Sequence, residues 1–142
     1  MTSSVTVRHN FETAHRLRHI GGKCVNLHGH SWWVEVTVDA PDVDDRGTVV
    51  EFGPFKAGLR QWIDTHLDHG AMLHRGDPLA EVLAGHGCKV FPTEKPPTVE
   101  NTAAMLAKVA EALLQAAVAA PGASVARVRV SETHVNAAEW VR

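Results

Sequence analysis

The sequence predicts an α+β fold in which helices pack on one face of an antiparallel sheet. Two segments near the start of the chain alternate apolar and polar residues, as half-buried strands do, and another such segment lies near the end. Between them are two segments whose apolar residues recur at the spacing of an amphipathic helix. The order strand, strand, helix, helix, strand is typical of helices segregated to one side of a sheet.

In each predicted strand, the apolar residues occupy alternate positions, all odd-numbered or all even-numbered, and this set of positions is called the inner parity. In the first strand, the inner parity holds Val5, Val7, His9, Phe11 and His15. In the second strand, it holds His28, His30, Trp32, Val34, Val36 and Val38. Because alternate residues of a strand lie on one face, His28 and His30 are expected to point toward the core, and His15 joins that face if the first strand continues. Two further strands are predicted, one from Ser124 to about Glu132 and a short one near Trp140.

Helix signals fall in the middle of the chain. Pro54 suits a first helical position and is followed by apolar residues at helical spacing, Phe55, Leu59, Trp62, Ile63 and Leu67. This helix is expected to end near Gly70. A shorter helix capped by Asp77-Pro78 is expected to end at Gly85, and residues 88–97 are expected to form an irregular connection. Thr98 is a candidate N-cap for a long amphipathic helix that is broken at Pro121-Gly122.

Length and composition limit the classes of protein. A chain of 142 residues, of which 44% are apolar, can bury its own core, so residues 1–142 are expected to form a single domain. The formal net charge of -2 and the lack of a dense Lys/Arg run argue against nucleic acid as a partner. No apolar run approaches the roughly 20 residues that a membrane-spanning helix needs. The opening segment does not resemble a signal peptide, and two cysteines fit a reducing compartment, so a cytoplasmic protein is expected.

Histidine is unusually frequent, and three of the ten histidines form a candidate metal site. His28 and His30 lie two apart on one strand, so both rings can reach one ion, and His15 supplies a third ring if the first two strands pair. Three imidazoles with an open fourth position are typical of catalytic zinc. Cys24, four residues before His28, could be a fourth ligand or a catalytic base. The residues themselves therefore leave open either a closed structural site or an open reactive one.

Motifs in five segments occur together in one family. These segments are Phe11-Glu12-Thr13-Ala14-His15-Arg16-Leu17, Cys24-Val25-Asn26-Leu27-His28-Gly29-His30, Leu67-Asp68-His69, Pro97-Thr98-Val99-Glu100-Asn101 and Ser131-Glu132-Thr133. They span nearly the whole chain, and their order makes chance matching a poor explanation. The sequence thus resembles the 6-pyruvoyl-tetrahydropterin synthase and 6-carboxytetrahydropterin synthase family.

The resemblance implies a role for each site residue. Zinc would be held by His15, His28 and His30, and Cys24 would be the catalytic base instead of a fourth ligand. Bound zinc would polarise the hydroxyl groups of the substrate side chain and acidify the neighbouring carbon, from which Cys24 removes a proton.

The remaining site residues follow from the same resemblance. His69 would relay protons with Cys24, and Asp68 would orient its ring. Glu132, counted with these three in the catalytic set, would anchor the pterin by accepting hydrogen bonds from its 2-amino and ring N–H groups. Thr98 resembles a second position that contacts the pterin. Glu132 also shares the apolar parity of its strand with Ala126, Val128 and Val130.

The resemblance further implies the tunnelling fold. Each subunit would offer an antiparallel four-stranded sheet with two main helices on one face. Three sheets would close into a barrel, and two barrels would stack into a homohexamer, a dimer of trimers, with pterin pockets between subunits. Such closure protects sheet edges that would otherwise be unpaired.

The implied reaction is a lyase reaction on a small-molecule pterin triphosphate. It converts 7,8-dihydroneopterin triphosphate to 6-carboxy-5,6,7,8-tetrahydropterin, with release of triphosphate and acetaldehyde, on the route to queuosine-type deazapurines. Three residues separate Cys24 from the unit His28-Gly29-His30, a spacing that favours the carboxy-forming type. The alternatives are a 6-pyruvoyl-tetrahydropterin synthase, which eliminates triphosphate, and a non-catalytic protein that binds zinc and pterin. The intact set Cys24, Asp68 and His69 argues against the binding protein.

Some positions depart from the family pattern or receive no functional role. Glu51 stands where Asp is usual, Gly70 where a larger residue is common, and His134 where proline is frequent. A basic stretch, Arg16, Arg18 and Lys23, could face a triphosphate or simply be solvated. Surface or packing roles are expected for His9, His19, His66, His74, His86, Cys88 and Trp33.

Overall fold

A computed structural model describes residues 2–142 of the chain. The helices are α1 Phe52–His66, α2 Leu79–Gly85 and α3 Val99–Gln115, with a short 3₁₀ helix at Gly22–Val25. The strands are β1 Ser3–His15, β2 His28–Ala40, β3 Gly70–His74, β4 Val90–Thr93, β5 Ser124–Ser131 and β6 Ala137–Val141. Within this part of the chain, no helix has both the length and the apolar character needed to cross a membrane.

The strands form one sheet in the order β4-β3-β1-β2-β5-β6. Strands β1 and β2 pair antiparallel along their whole length, from Ser3 opposite Ala40 to His15 opposite His28. Strand β5 pairs antiparallel with β2, and β6 pairs antiparallel with β5. The α+β class and the four predicted antiparallel strands are therefore confirmed.

Two short strands distinguish the sheet from the predicted one. Strand β3 pairs parallel to β1 and β4 pairs parallel to β3, so the sheet is mixed and has six strands instead of four. The prediction of an irregular segment over residues 88–97 was wrong, because part of it forms β4. Strands of four or five residues are too short to show alternation. In β3, moreover, Ala71, Met72 and Leu73 are all buried in succession.

The helices also differ in detail from the prediction. Helix α1 begins at Phe52, before the predicted first residue Pro54, and ends at His66 and not near Gly70. Pro54 still lies in the first turn, where a backbone amide has no intrahelical acceptor and the proline ring costs no hydrogen bond. Helix α2 adds a third helix to the two main ones and ends at Gly85, as predicted.

Helices α1 and α3 cover the apolar face of the sheet. Phe11 of β1 and Trp32 of β2 stack with ring centroids 5.9 Å apart. They belong to one buried cluster with Leu59 and Ile63 of α1 and Leu106 of α3. The opposite face is polar and carries a cross-strand row of alternating charge, Arg8, Glu35, Arg129 and Glu139. The histidines of the candidate site lie at the end of the sheet where β1 ends and β2 begins.

Candidate metal centre and active site

Strand pairing brings three histidines together at one end of the sheet. His15 is the last residue of β1 and lies opposite His28, the first residue of β2, while His30 follows two residues later. The ring centroids are 4.7 Å apart for His15 and His28, 5.2 Å for His15 and His30, and 4.9 Å for His28 and His30. One ligand atom from each ring lies within 4.8 Å of the others, so a single metal ion could contact all three.

Backbone carbonyls orient two of these rings. The Nδ1 atom of His15 lies 2.7 Å from the carbonyl oxygen of Pro97, and that of His28 lies 2.7 Å from the carbonyl oxygen of Asn26. Because a carbonyl only accepts, each Nδ1 carries the proton, and each Nε2 offers its lone pair. Among the described residues, the Nε2 atoms of His15 and His30 are buried without a hydrogen-bond partner. A cation bound at this point would satisfy both, so the three imidazoles fit a metal site, and the donor set suits zinc.

Burial keeps the inner imidazoles uncharged. Burial is the largest influence on the pKa of His15 and lowers it below 6.5, although the Pro97 carbonyl and the Glu132 carboxylate oppose the shift. The pKa of His30 is lowered for the same reason, again opposed by Glu132. A neutral imidazole is the form that binds metal, so these two rings need not lose a proton near neutral pH before they bind an ion.

Glu132, directly after β5, faces the histidine cluster. Its Oε2 atom lies 3.7 Å from Nε2 of His15 and its Oε1 atom 3.4 Å from Nε2 of His30. The side chain is only 18% exposed, so the carboxylate is not a solvated group past the strand end. A register shift in the pairing of β2 with β5 places Val125 on the buried face in place of Ala126, which corrects the predicted parity there. Val128 and Val130 are buried, as the predicted parity requires.

A cavity of about 730 Å³ opens beside the cluster. Its wall includes His30, Glu132, Trp33 of β2 and Arg129 of β5. It also includes His134, one of the positions that depart from the family pattern. Binding sites for small molecules commonly measure about 300 to 1,000 Å³, so this cavity can hold a bicyclic ring. Neither Trp33 nor Arg129 carries a sequence signal for a site role, because an outward-facing strand residue has no pattern that separates a cavity wall from a solvated surface.

Cys24 lies in the 3₁₀ helix that connects β1 to β2. Its carbonyl accepts a hydrogen bond from the Leu17 amide at 2.7 Å, which ties this loop to the residues that follow His15. The thiol is free and partly exposed. Within residues 2–142 the thiol makes no hydrogen bond to Asp68 or His69, whose own contacts are with each other and with the Glu12 amide.

Asp68 and His69 form a side-chain pair just after α1. Oδ2 of Asp68 lies 2.8 Å from Nδ1 of His69. Oδ1 of Asp68 accepts a hydrogen bond from the Glu12 amide at 2.8 Å, which anchors the carboxylate on β1. The imidazole of His69 is 79% exposed, and its Nε2 side is therefore accessible to a substrate or a partner. Asp68 thus contacts the ring that it is predicted to orient, and its catalytic role stays a prediction.

Hydrogen bonds keep the Asp68 carboxylate ionised. Burial is the largest influence and raises the pKa of Asp68, but the Glu12 amide, the hydrogen bond with His69 and the charges of His69 and Lys89 together outweigh it. The pKa of Asp68 therefore lies below its ordinary value of 3.8. An ionised carboxylate at Nδ1 holds the tautomer in which Nε2 of His69 can accept a proton.

Thr98 begins α3 beside the metal cluster. Its side-chain oxygen accepts a hydrogen bond from the Asn101 amide at 3.1 Å, so the predicted N-cap is confirmed. The preceding residue, Pro97, supplies the carbonyl that orients His15. This contact has no sequence signal, because a backbone carbonyl can come from any residue type.

Arg16 is committed to a structural ion pair. Its guanidinium donates to both carboxylate oxygens of Asp77, with Nε 2.8 Å from Oδ2. The side chain of Asp77 is 2% exposed and also accepts a hydrogen bond from the Leu79 amide. Arg16 is thus engaged in fastening the start of α2 to the end of β1, which leaves its charge neutralised.

The chain is similar in sequence to known pterin synthases over most of its length. The family described as 6-pyruvoyl tetrahydropterin synthase matches residues 4–142. The 6-carboxy-5,6,7,8-tetrahydropterin synthase of Rickettsia bellii is 38% identical over 100 residues, which cover 69% of this chain and 72% of that protein.

Solved structures share the fold. An uncharacterized protein from Wolinella succinogenes superposes with a TM-score of 0.84 at 20% identity, covering 100% of this chain and 99% of that one. The 6-pyruvoyl tetrahydropterin synthase of Caenorhabditis elegans superposes with a TM-score of 0.72 at 21% identity, covering 100% and 96%. These likenesses confirm the expected tunnelling fold.

Proposed function

The chain belongs to the 6-pyruvoyl tetrahydropterin synthase family, and from this membership we propose that it is a zinc-dependent 6-carboxytetrahydropterin synthase. The reaction converts 7,8-dihydroneopterin triphosphate and one water to 6-carboxy-5,6,7,8-tetrahydropterin, triphosphate and acetaldehyde. The observation that carries the proposal is the convergence of three imidazoles and the Glu132 carboxylate at the mouth of one cavity.

The carboxy-forming product is supported by two observations. The R. bellii relative carries the name of this synthase at 38% identity. The short spacing from Cys24 to His28 is the second, because the loop length determines where the thiol lies over the substrate side chain. A displacement of about 1 Å can slow a proton transfer by orders of magnitude, so loop length can select between products.

Residues of this chain account for binding and orientation. His15, His28 and His30 would hold the zinc, which when bound supplies Lewis-acid polarisation of the substrate's side-chain hydroxyl groups. Glu132 accepts hydrogen bonds from the 2-amino and ring N–H groups of the pterin, a bidentate contact suited to a carboxylate. Thr98 is proposed as a second contact for the pterin. It follows Pro97, whose carbonyl contacts His15 of the metal cluster, so it lies near that cluster.

Proton movement is assigned to three residues. Cys24 removes a proton from the side-chain carbon next to the polarised hydroxyl, and later returns one. His69 accepts and returns protons at Nε2, because its Nδ1 atom is engaged with Asp68 at 2.8 Å. Asp68 holds the ring and its tautomer, and it stays ionised throughout.

The proposed enzyme is a homohexamer built from two trimers, each chain being a single domain over residues 1–142. The 79% exposure of the His69 side chain, which leaves its imidazole free to face a neighbouring copy, supports an active site shared between subunits. Among residues 2–142, β4 and β6 are the outer strands of the sheet, and their free edges support sheet closure by neighbouring copies. The two free cysteines fit the cytoplasm, where the product would enter queuosine-type deazapurine synthesis.

Product analysis tests the proposal. The purified, zinc-loaded protein is incubated with 7,8-dihydroneopterin triphosphate, the pterin product is identified by mass, and acetaldehyde is trapped with alcohol dehydrogenase and NADH. The expected result is a 6-carboxy product with equimolar acetaldehyde. A 6-pyruvoyl product with triphosphate release and no acetaldehyde would establish the alternative synthase. Pterin binding without turnover would instead indicate a binding protein.

A further inference from the structure

The peptide group between Asp68 and His69 is held at both ends. The carbonyl oxygen of Asp68 accepts a hydrogen bond from Nζ of Lys89 at 2.6 Å. The amide of His69 donates to the carbonyl oxygen of Glu12 at 2.6 Å. Because both atoms belong to one peptide group, their partners fix its plane. That plane sets the direction in which the His69 side chain leaves the backbone.

His69 needs this support because its backbone conformation is unfavourable. Its φ angle is 60°, and among residues 2–142 it is the one non-glycine residue with positive φ. In this left-handed region, Cβ crowds the backbone, so a residue other than glycine remains there only when its surroundings require it. Freed from its partners, the peptide would relax and carry the imidazole with it.

Lys89 also completes the end of α1. The amide of Asp68 donates to the carbonyl of Ile63, five residues back, at 2.9 Å. This leaves the carbonyl of Asp64 for the Lys89 ammonium, which lies 2.7 Å away. A cation is also favoured at the C-terminal end of a helix dipole. One ammonium therefore joins the end of α1 to the peptide that precedes His69.

Gly70 provides the space that Lys89 occupies. A Cβ atom on Gly70 would lie 3.0 Å from Cδ of Lys89, 3.1 Å from its Cγ and 3.1 Å from its carbonyl oxygen. The carbonyl oxygen is held by the Ala71 amide at 3.0 Å, so the backbone of Lys89 cannot move away freely. The φ angle of Gly70 is not positive, so its packing against Lys89 is what favours glycine here.

We infer that Lys89 is a positioning residue for His69, acting through the Asp68 carbonyl, and that Gly70 is required for this arrangement. The inference rests on the proposed function, in which His69 relays protons with Cys24. Without the ammonium, the peptide would turn toward an ordinary backbone conformation, and the imidazole would move from the reacting atoms. Pterin binding at Glu132 and metal binding at the three histidines would be unaffected.

Steady-state kinetics of matched variants test the inference. Lys89→Met removes the ammonium and keeps most of the stem. Lys56→Met is the control, because Lys56 is an exposed lysine on α1, the helix whose end Lys89 contacts. For Lys89→Met, kcat should fall at least about tenfold while KM changes less than about twofold, since a misplaced relay slows chemistry and not binding. Lys89→Arg should recover part of kcat, because a guanidinium can donate to both carbonyls.

Gly70→Ala tests the same contact from the other side. It should lower kcat in the same direction as Lys89→Met, with unchanged zinc content. The double variant should be no worse than the more damaged single variant, because both changes break one contact. Fully additive losses would show that Gly70 acts independently of Lys89 and would overturn that part of the inference.

Amide hydrogen exchange at His69 provides a readout that does not depend on turnover. Exchange of this amide should become at least about tenfold faster in Lys89→Met and stay unchanged in Lys56→Met. Wild-type kcat and wild-type His69 exchange in Lys89→Met, even with a lower thermal midpoint, would show that Lys89 only caps α1 and would overturn the inference. If the unmodified enzyme lacks activity but His69 exchange responds to Lys89→Met, the proposed function fails and the positioning by Lys89 stands.

Discussion

Oε1 of Glu132 lies 3.4 Å from Nε2 of His30, so the carboxylate at the end of β5 faces the histidine that belongs to both the metal cluster and the cavity wall. This relationship is compatible with two roles for Glu132. It could complete the coordination of a metal, or it could leave the metal open and bind the pterin. Our proposal assigns the second role.

Replacement of Glu132 by glutamine separates these roles. Glu132→Gln keeps the shape but loses one acceptor and the charge, so kcat/KM for the pterin triphosphate should fall by about 10- to 150-fold, as expected for lost hydrogen bonds to a charged group. Zinc content, measured by atomic emission, should stay at the unmodified level. If zinc content and activity fell together, Glu132 would be identified as a metal ligand, contrary to the proposal.

Removal of one imidazole should empty the metal site. His28→Ala leaves two histidine ligands, which are too few for a stable catalytic zinc site, so metal analysis should show zinc far below the level of about one ion per chain. His86→Ala is the control, because His86 is exposed at the end of α2. Full zinc occupancy in His28→Ala would show that His28 is not a zinc ligand.

Cys24 should be needed for turnover but not for metal. In Cys24→Ala the three imidazoles remain, so zinc content should match the unmodified protein, while kcat should fall by at least about 100-fold because a general base is lost. Cys88→Ala is the matched control, since Cys88 is a free, exposed cysteine. Zinc loss on removal of Cys24 would identify it as a ligand.

The ion pair of Arg16 with Asp77 should make stability depend on acid pH. The hydrogen bond from Arg16 is the main cause that lowers the pKa of Asp77 below 3.8, and burial opposes it. Because the folded-state pKa is the lower one, the stabilisation is complete above the unfolded value and is lost as pH falls through the folded value.

Asp77→Asn tests this dependence. At pH 7 it should lower the free energy of unfolding by about 2 kcal/mol, as expected for lost hydrogen bonds between charged groups, and the difference should be smaller at about pH 3. Urea unfolding at both pH values measures it. Asp45→Asn, in an exposed turn, is the control. A difference of equal size at both pH values would rule out a contribution from Asp77 ionisation.

The sequence predicted much of the site because its signals are local. Residues two apart on a strand face the same way, so the convergence of His28 and His30 follows from parity alone. His15 joins them only through the register of β1 with β2, which parity permits but does not determine. The motif resemblance supplied the roles of Cys24 and Glu132, and these remain proposals for the variants above.

Other contacts left no local signal. Strands β3 and β4 were missed because four or five residues cannot show a period, and their pairing depends on partners far away in the chain. The Pro97 carbonyl that orients His15 was missed because every residue type carries the same carbonyl. Arg16 was considered for the triphosphate, but in the folded chain its charge is neutralised by the buried Asp77.

By itself, then, the sequence determined the class of fold, the buried face of β1 and of the site end of β2, and the identity of the candidate ligands, because periodicity and residue type act over a few neighbouring residues. Only the tertiary structure decided that Lys89 lies over Gly70 and holds the Asp68 carbonyl. Such a contact links residues about twenty positions apart through a bend after α1. Its existence depends on how β3, β4 and the helix end pack together, which no local pattern encodes.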